Sequence, residues 1–138
     1  MTTDPDCLFC KIIAGDIPSR RVYEDEHSIA FLDIAPFHRG HTLVVPRRHS
    51  VAVSDADGAF TEIAPAVEHV AQLVTERLAA DGVNVFTSGG SVAGQEVFHL
   101  HVHVVPRYAA TPGLRRLFDR SGDDSAEALD AVLADLTR

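Results

Sequence analysis

Three histidines alternate with apolar residues along the run FHLHVHVV at residues 98–105. Successive side chains of an extended strand point to opposite faces, so the pattern places His99, His101 and His103 on one face and the apolar residues on the other. Same-face neighbours lie about 6.5–7 Å apart, which lets several imidazoles reach one phosphate or one metal ion. A surface strand that is merely rich in histidine would show the same letters. Because clustered titratable groups are typical of sites, we interpret the run as a strand that carries one.

Composition indicates a single folded unit and narrows the class of partner. The 138 residues are 46% hydrophobic with a mean hydropathy of +0.04, which predicts one domain, residues 1–138, with a sizeable core. The formal net charge of −8 argues against a nucleic acid polymer or a membrane as partner, although a local pocket could bind a small phosphorylated ligand. We find no secretory leader and no apolar stretch of about 20 residues, so we expect a cytoplasmic protein.

The periodicity of the apolar residues predicts an α+β fold. It indicates a short N-terminal helix with Asp6 as N-cap, a main helix over residues 59–80 that ends near Gly82, and a C-terminal amphipathic helix. Pro65 falls inside the main helical pattern, where it would kink the helix or mark its start. Asp124 has capping-box spacing from a glutamate before the last helix. Short apolar runs predict the strands of a small antiparallel sheet at residues 21–23, 28–33, 41–45, 83–86 and 98–105.

Two polar residues stand at the ends of predicted strands. The Asp33 carboxylate could accept hydrogen bonds from a ribose diol, or it could initiate a turn before Ala35-Pro36. His41 opens the next strand, and a single histidine at such a position is more often structural than catalytic. The spacing by itself leaves both roles open for Asp33.

Four segments follow one another along the chain: CLFCKII at residues 7–13, FLDI at 31–34, GHTLVVP at 40–46 and GQEVFHLHVHVV at 94–105. In their order and spacing they resemble the histidine triad (HIT) family and, within it, the Hint-like branch of bacterial proteins. The motif-matching core spans residues 7–107 and leaves a C-terminal extension at 108–138. The resemblance implies a HIT-like α+β fold, a homodimer that joins the two sheets, and hydrolysis or transfer of a purine nucleotide or nucleotide conjugate.

The resemblance also implies a role for each polar residue of these motifs. His101 would be the nucleophile that attacks the α-phosphorus of a nucleoside phosphoramidate, a nucleotide ester or a dinucleoside polyphosphate, forming a nucleotidyl-histidine. His41 and His103 would contact phosphate oxygens or orient the reacting ring. The nucleotide-binding set would hold the phosphate and the nucleoside, and its members are Asp33, Ile34, Ser88, Gln95 and His103.

Cys7 and Cys10 form a Cys-x-x-Cys pair, which could be a redox pair, half of a metal site or two buried thiols. A thioredoxin-like redox motif requires a preceding strand, and only six residues precede Cys7. Some HIT relatives complete a metal site with two histidines, which here are His49 and His99. The resemblance therefore implies a closed Cys2His2 structural zinc site that ties the N-terminal helix to the histidine run. Without zinc, His99 would instead orient His101 by a hydrogen bond.

Two residues depart from the Hint-like pattern. Glu96 follows Gly-Gln where that pattern often has Ser or Thr, and Ser88 stands where it often has Asn. An ionised glutamate cannot donate to phosphate and repels it, so Glu96 either points away or meets a cationic part of the substrate. This departure keeps open a nucleotide-binding or protein-interaction module with little turnover. A metal-dependent hydrolase that uses the three histidines of the run as ligands is a third hypothesis.

The remaining histidines and three arginines near the motifs match no motif position. We interpret the histidines as ordinary surface or helix residues. The arginines flank the site and could recruit phosphate, but solvated charges are the simpler interpretation. These residues are His27, His38, His69, Arg47, Arg48 and Arg107.

Overall fold

A computed structural model describes residues 3–138. The helices are α1 (Leu8–Ala14), α2 (Ala59–Arg77) and α3 (Ala126–Thr137), and the strands are β1 (Arg21–Glu24), β2 (Ser28–Leu32), β3 (Thr42–Pro46), β4 (Gly82–Phe86) and β5 (Val102–Arg107). Single-turn 3-10 segments lie in the loops. Within the described range, no helix combines the length and the apolar character that crossing a membrane needs.

The five strands form one antiparallel sheet in the order β1-β2-β3-β5-β4. Leu43 of β3 and Phe86 of β4 both pair with His103 of β5, so the histidine strand lies inside the sheet between two neighbours. Ladder hydrogen bonds on both sides hold such a strand in register, which gives its side chains defined positions. The predicted α+β fold, a small antiparallel sheet with one main helix, is confirmed.

The two faces of the sheet bury different sets of side chains. On one face, Leu100, Val102 and Val104 pack in the larger core cluster with residues of α2 and α3. On the other face, α1 packs against β2 and β3 in a smaller cluster. Phe9 of α1 belongs to this smaller cluster and contacts the rings of His99 and His101 edge-on. The alternation of apolar and histidine side chains between two faces is therefore confirmed.

The histidine strand is shorter than the sequence predicts. Ladder pairing in β5 begins at Val102, so His99, Leu100 and His101 precede the strand. Residues 99–101, which precede β5, are held by the loop that follows β3, because the Leu100 N–H donates to the Ser50 carbonyl at 2.6 Å. The alternation between the two faces extends into these residues, since Leu100 is still buried in the core on the α2 side.

Two helix caps differ from the prediction. Cys7, not Asp6, caps α1, because its sulfur accepts the Cys10 N–H at 3.3 Å. Ser125, not Asp124, caps α3, because its hydroxyl accepts a first-turn N–H at 3.2 Å. Both true caps stand one position after the predicted residue, a displacement that apolar periodicity does not resolve.

The main helix ends earlier than predicted. α2 stops at Arg77, and Ala79 then turns the backbone away with a φ of +52°. Gly82, predicted as the stop, instead opens β4. Pro65 lies well inside α2, so it does not mark the start of the helix.

Gly40 forms the turn that delivers His41 to β3. Its φ is +88°, and a Cβ there would lie 2.3 Å from Leu78 Cδ1 and 3.1 Å from Pro106 Cγ. We predict that Gly40→Ala lowers the free energy of unfolding by about 2–4 kcal/mol, through backbone strain and overlap with the buried Leu78. Gly15→Ala is the matched control: Gly15 has a φ of +86° and nothing within 4 Å. Gly15→Ala should lower the free energy of unfolding by only about 1 kcal/mol. Urea unfolding compares the two variants, and equal losses of unfolding free energy would contradict the steric explanation.

Candidate active site

A cavity of about 620 Å³ opens on the sheet face that carries His101 and His103. Its walls come from α1, the end of β2 with the following loop, the loop between β4 and β5, and the C-terminal extension. This volume lies within the range of about 300–1,000 Å³ that is typical of small-molecule sites. The lining is largely apolar, and its ionisable members are Arg20, Asp33, Glu96, His101, His103 and Arg120.

The His101 ring has one nitrogen tied to the backbone. Its Nδ1 lies 2.8 Å from the His99 carbonyl oxygen, so Nδ1–H donates and Nε2 remains unprotonated. Burial lowers the pKa of His101 below its usual value, against the opposing effects of the His99 carbonyl and Asp33. The Thr87 hydroxyl fixes the backbone here by donating to the His101 carbonyl at 2.7 Å. The ring is therefore neutral at pH 7 and presents a lone pair on Nε2.

His41 and His103 form a hydrogen-bonded pair with a defined direction. The Phe37 N–H donates to His41 Nδ1 at 3.0 Å, which makes that nitrogen an acceptor. Neutral His41 therefore carries its hydrogen on Nε2, which lies 2.9 Å from His103 Nδ1 and donates to it. His103 must then carry its own hydrogen on Nε2. The backbone of Phe37 thus sets His103 as a hydrogen-bond donor at the cavity.

The surroundings of this pair keep both rings neutral. Burial, helped by the positive charge of Arg120, lowers the pKa of His41 to about 3. Burial and the neighbouring His41 likewise lower the pKa of His103 to about 3. Aromatic rings supply part of this burial: His41 stacks on Phe37 with centroids 5.1 Å apart, and His103 stacks on Phe86 at 4.5 Å. His103 can carry its hydrogen on Nε2 alone only if both His41 and His103 are neutral, and their low pKa values meet this condition.

Asp33 and Ile34 place one polar and one apolar group on the cavity wall. Asp33 Oδ1 accepts the Ala35 N–H at 2.8 Å, so the turn predicted before Pro36 is present. Oδ2 lies 3.7 Å from His41 Nε2, and Asp33 lines the cavity. Ile34 also lines it and is 74% exposed. The turn thus occupies one carboxylate oxygen and leaves the other for a ligand.

The loop between β4 and β5 contributes three of the predicted residues in different ways. Gln95 is buried: its amide oxygen accepts the Gly90 N–H at 2.8 Å, and its amide nitrogen donates to backbone carbonyls, with Val51 at 2.6 Å. Gln95 therefore organises the loop and is not among the residues that line the cavity. Ser88 and Glu96 do line it. Glu96 thus brings a carboxylate to the site.

The structure brings four potential metal ligands together at the start of α1: Cys7, Cys10, His49 and His99. His99 Nδ1 lies 3.4 Å from Cys7 Sγ, 3.6 Å from Cys10 Sγ and 3.3 Å from His49 Nδ1. Tetrahedral zinc, with Zn–S of about 2.3 Å and Zn–N of about 2.0–2.1 Å, separates its ligand atoms by about 3.3–3.8 Å. The donor set and its spacing are therefore compatible with zinc.

A backbone carbonyl orients His99 toward this cluster. His99 Nε2 lies 2.9 Å from the Pro46 carbonyl oxygen, so Nε2–H donates there and the Nδ1 lone pair faces the sulfurs. Burial lowers the pKa of His99 to about 4, which keeps the ring neutral as a metal ligand must be. Burial raises the pKa of the Cys10 thiol, an effect that a bound cation would oppose.

The histidines of the run divide between two sites. His99 joins the cysteine cluster, whereas His101 and His103 line the cavity. In the described part of the chain, these three residues do not appear together in any cluster with metal-ligand spacing. The hypothesis of one catalytic metal held by all three is therefore not supported by the geometry.

Sequence reasoning missed two cavity residues in the C-terminal extension, Phe118 and Arg120. The Phe118 ring packs edge-on against Phe37 at 5.4 Å and against Phe86 at 5.5 Å. These are the same rings that stack on His41 and His103. No motif in the sequence includes Phe118 or Arg120, so only the fold shows that they line the cavity.

His38 is not the surface residue that the sequence predicts. It is buried, its Nε2–H donates to the Arg116 carbonyl at 2.8 Å, and its Nδ1 accepts from the Ser121 hydroxyl at 3.0 Å. His38 therefore anchors the C-terminal extension beside the cavity. His27 and His69 are exposed, as predicted.

The three flanking arginines do not line the cavity. Arg47 and Arg48 are partly exposed and pair with Glu24 and Glu62, in line with their interpretation as solvated charges. The same interpretation is wrong for Arg107, which is buried and donates to Asn84 Oδ1 at 2.7 Å and to two carbonyls of the following loop. Arg107 thus ties the extension to the sheet.

Comparison with known proteins points to a single family. Residues 14–110 match the HIT domain. The adenosine 5'-monophosphoramidase of Saccharomyces cerevisiae is 38% identical over 114 residues, which cover 82% of this chain and 70% of the yeast protein.

Two crystal structures are similar over nearly the whole chain. A HIT-like protein from Bartonella henselae has a TM-score of 0.84 and 34% identity, covering 99% of this chain and 98% of that chain. A zinc-bound histidine triad family protein from Mycobacterium smegmatis has a TM-score of 0.79 and 41% identity, covering 95% and 93%. With its motifs, its sheet and its relatives in agreement, this chain belongs to the HIT family.

Proposed function

We propose that the protein is a nucleotide hydrolase or transferase that cleaves a nucleoside phosphoramidate, a nucleotide ester or a dinucleoside polyphosphate at the α-phosphorus. The observation that carries the proposal is the His101 ring, with Nδ1–H on the His99 carbonyl and Nε2 unprotonated at the cavity. The similarity to a yeast adenosine 5'-monophosphoramidase supports a purine nucleotide conjugate as substrate.

The reaction proceeds through a covalent histidine. The Nε2 lone pair of His101 forms a bond to the α-phosphorus, and the bond from phosphorus to the leaving oxygen or nitrogen breaks. Water then attacks the nucleotidyl-histidine, the nitrogen–phosphorus bond breaks, and a nucleoside monophosphate is released. Over both steps one water is consumed: its oxygen joins the phosphorus, and one of its protons ends on the leaving group.

The groups around His101 stabilise the charge that develops on the phosphate. His103 donates from Nε2 to a phosphate oxygen, in the tautomer that His41 sets. The Ser88 hydroxyl, on the loop that Gln95 organises, supplies a further donor. At the nucleoside end, the free oxygen of Asp33 accepts from a ribose hydroxyl. Ile34 packs against the base.

A zinc ion bound by Cys7, Cys10, His49 and His99 has a structural role in this proposal. Four protein ligands leave a tetrahedral ion no open position for substrate. When bound, it would link α1 to the segment before β5. His99 would be held from both sides, because its Nε2–H already donates to Pro46. The zinc-bound relative from Mycobacterium smegmatis supports this assignment.

We also propose a homodimer formed through β4, which is an edge strand of the sheet. Val83 and Val85 of this strand are 37% and 47% exposed, and Phe60 of α2 is 41% exposed. Phe60, Val67 and Val85 line an apolar groove between α2 and the sheet. A second copy that pairs its β4 with this edge would extend the sheet and cover the groove.

Substitution of the nucleophile tests the chemistry. We predict that His101→Ala lowers turnover of adenosine 5'-phosphoramidate on the order of 1,000-fold or more, since no other group forms the covalent bond. The affinity for AMP, measured by titration calorimetry, should change less than about threefold, because the other binding groups remain. His69→Ala is the matched control, since it removes an exposed imidazole distant from the cavity. Full activity of His101→Ala would refute the assignment. A wild type that binds AMP without turnover would favour the binding-module alternative.

Removal of one metal ligand tests the zinc site. We predict one zinc per chain in protein purified without chelator, and loss of most of it in His49→Ala. Metal binding is coupled to folding, so Tm should fall by roughly 10 °C. His27→Ala removes an exposed imidazole and should keep both zinc and Tm. Elemental analysis and thermal unfolding measure these effects. A metal-free wild type with the same Tm as zinc-loaded protein would exclude the structural role, and immediate loss of turnover on adding EDTA would favour a catalytic metal.

A charge on β4 tests the dimer. We predict that Val85→Asp converts a wild-type dimer into a monomer, because pairing would bury an unpaired carboxylate. Leu114→Asp introduces the same charge at a residue that is 71% exposed in the C-terminal extension, and it should leave the dimer intact. Light scattering coupled to size-exclusion chromatography gives the mass of each variant. A monomeric wild type, or a dimeric Val85→Asp, would contradict the proposed interface.

A further inference from the structure

Arg120 stands at the cavity wall with its side chain held in place. Its guanidinium donates to the Ala35 carbonyl and lies over the Phe37 ring, 4.5 Å from the centroid. The backbone that follows Arg120 is anchored, because the Ser121 and Gly122 N–H groups both donate to the Phe37 carbonyl. These contacts therefore fix the position of Arg120 on the cavity wall.

The Gly122 backbone shows how closely the extension approaches the site. A Cβ at Gly122 would lie 2.9 Å from Pro36 Cγ and 3.0 Å from the Pro36 carbonyl oxygen. Only a residue without a side chain fits this contact. The extension is thus packed directly on the loop that follows Asp33.

The positive charge of Arg120 has no protein counter-ion. The other arginine that lines the cavity, Arg20, forms an ion pair with Asp130 at 2.7 Å. Among residues 3–138, no carboxylate lies within 4.0 Å of an Arg120 nitrogen, and Glu96 on the same cavity is not paired with it either. In a chain with a formal net charge of −8, this exposed guanidinium on the cavity wall is a positive group available to a bound anion.

The position of this charge differs from that of the nucleophile. Arg120 contacts Ala35 and Phe37, which belong to the loop that follows Asp33. The His101 ring instead lies next to α1, with its centroid 5.1 Å from that of Phe9 and its Nδ1 on the His99 carbonyl. An anion bound at Arg120 would therefore lie on the Asp33 side of the cavity, apart from the α-phosphate that meets His101.

We propose that Arg120 binds a second phosphate group of the substrate, in addition to the α-phosphate, and so selects nucleotide conjugates that carry at least two phosphates. This inference rests on the proposed nucleotide function. A guanidinium suits phosphate because its planar donors can bind two oxygens at once. The second phosphate belongs either to the leaving group, as in a dinucleoside polyphosphate, or to the ribose, and one experiment separates these two sources.

The experiment measures binding without requiring turnover. Titration calorimetry on the full-length, zinc-replete protein compares AMP, ADP and adenosine 3',5'-bisphosphate in the wild type and in Arg120→Gln. We expect the wild type to bind a two-phosphate ligand more tightly than AMP. Arg120→Gln should weaken that ligand roughly 10- to 100-fold, the range of a charge-assisted hydrogen bond, and AMP less than about threefold. Arg120→Lys keeps the positive charge but lacks the planar pair of donors, so it should lose an intermediate amount of affinity for the two-phosphate ligand.

The control is Arg115→Gln, since Arg115 is an exposed arginine of the same extension that does not line the cavity. It removes the same charge and should leave all three affinities unchanged. A loss confined to ADP assigns the phosphate to the leaving group, and a loss confined to the bisphosphate assigns it to the ribose. Equal losses for all three ligands, no loss, or a wild type that prefers neither two-phosphate ligand would overturn the proposal. Retained turnover in His101→Ala would instead refute the covalent mechanism and leave these affinities interpretable.

Discussion

Burial of Leu100, Val102 and Val104 in the core shared with α2 is the contact on which the rest of the site depends. All three are at most 2% exposed, and each such side chain contributes about 1.5–3 kcal/mol. Because neighbouring side chains point to opposite faces, the same burial holds the alternating histidines toward the cavity and the cysteine cluster. A slip of one residue would expose the apolar set and force imidazoles into the core. Burial of the apolar set therefore also fixes which face the three histidines occupy.

Backbone groups, more than other side chains, decide what each imidazole can do. The carbonyls of His99 and Pro46 and the N–H of Phe37 each engage one ring nitrogen. Each contact determines the nitrogen that bears the hydrogen, and burial keeps the rings neutral. Chemically identical side chains are thereby set up for the three proposed roles of nucleophile, metal ligand and hydrogen-bond donor. The distinction arises from the backbone groups that each ring contacts, so one residue type can be assigned three roles within one short run.

The fold class and the alternation of histidine and apolar side chains were accessible from sequence because they follow from local periodicity. The division of the histidines between two sites was accessible only through the resemblance to the HIT family. The helix caps at Cys7 and Ser125 were not accessible from sequence, since a cap depends on one hydrogen bond that periodicity does not encode. The buried position of His38 and the cavity position of Arg120 were also missed. Both depend on how residues 108–138 return to the sheet, a long-range contact for which no spacing rule exists.

The C-terminal extension does more than cover the motif-matching core. Phe118 touches Phe37 and Phe86, the two rings that stack on His41 and His103, so the extension packs behind the histidine pair as well as beside the cavity. α3 is fixed to the core by burial of its apolar face and by ion pairs from Arg20 and Arg39. The proposed reacting groups thus come from the motif-matching core, while the extension adds aromatic packing from Phe118 and the positive charge of Arg120. If Arg120 binds a second phosphate as proposed, substrate choice in this chain depends in part on a segment that carries none of the family motifs.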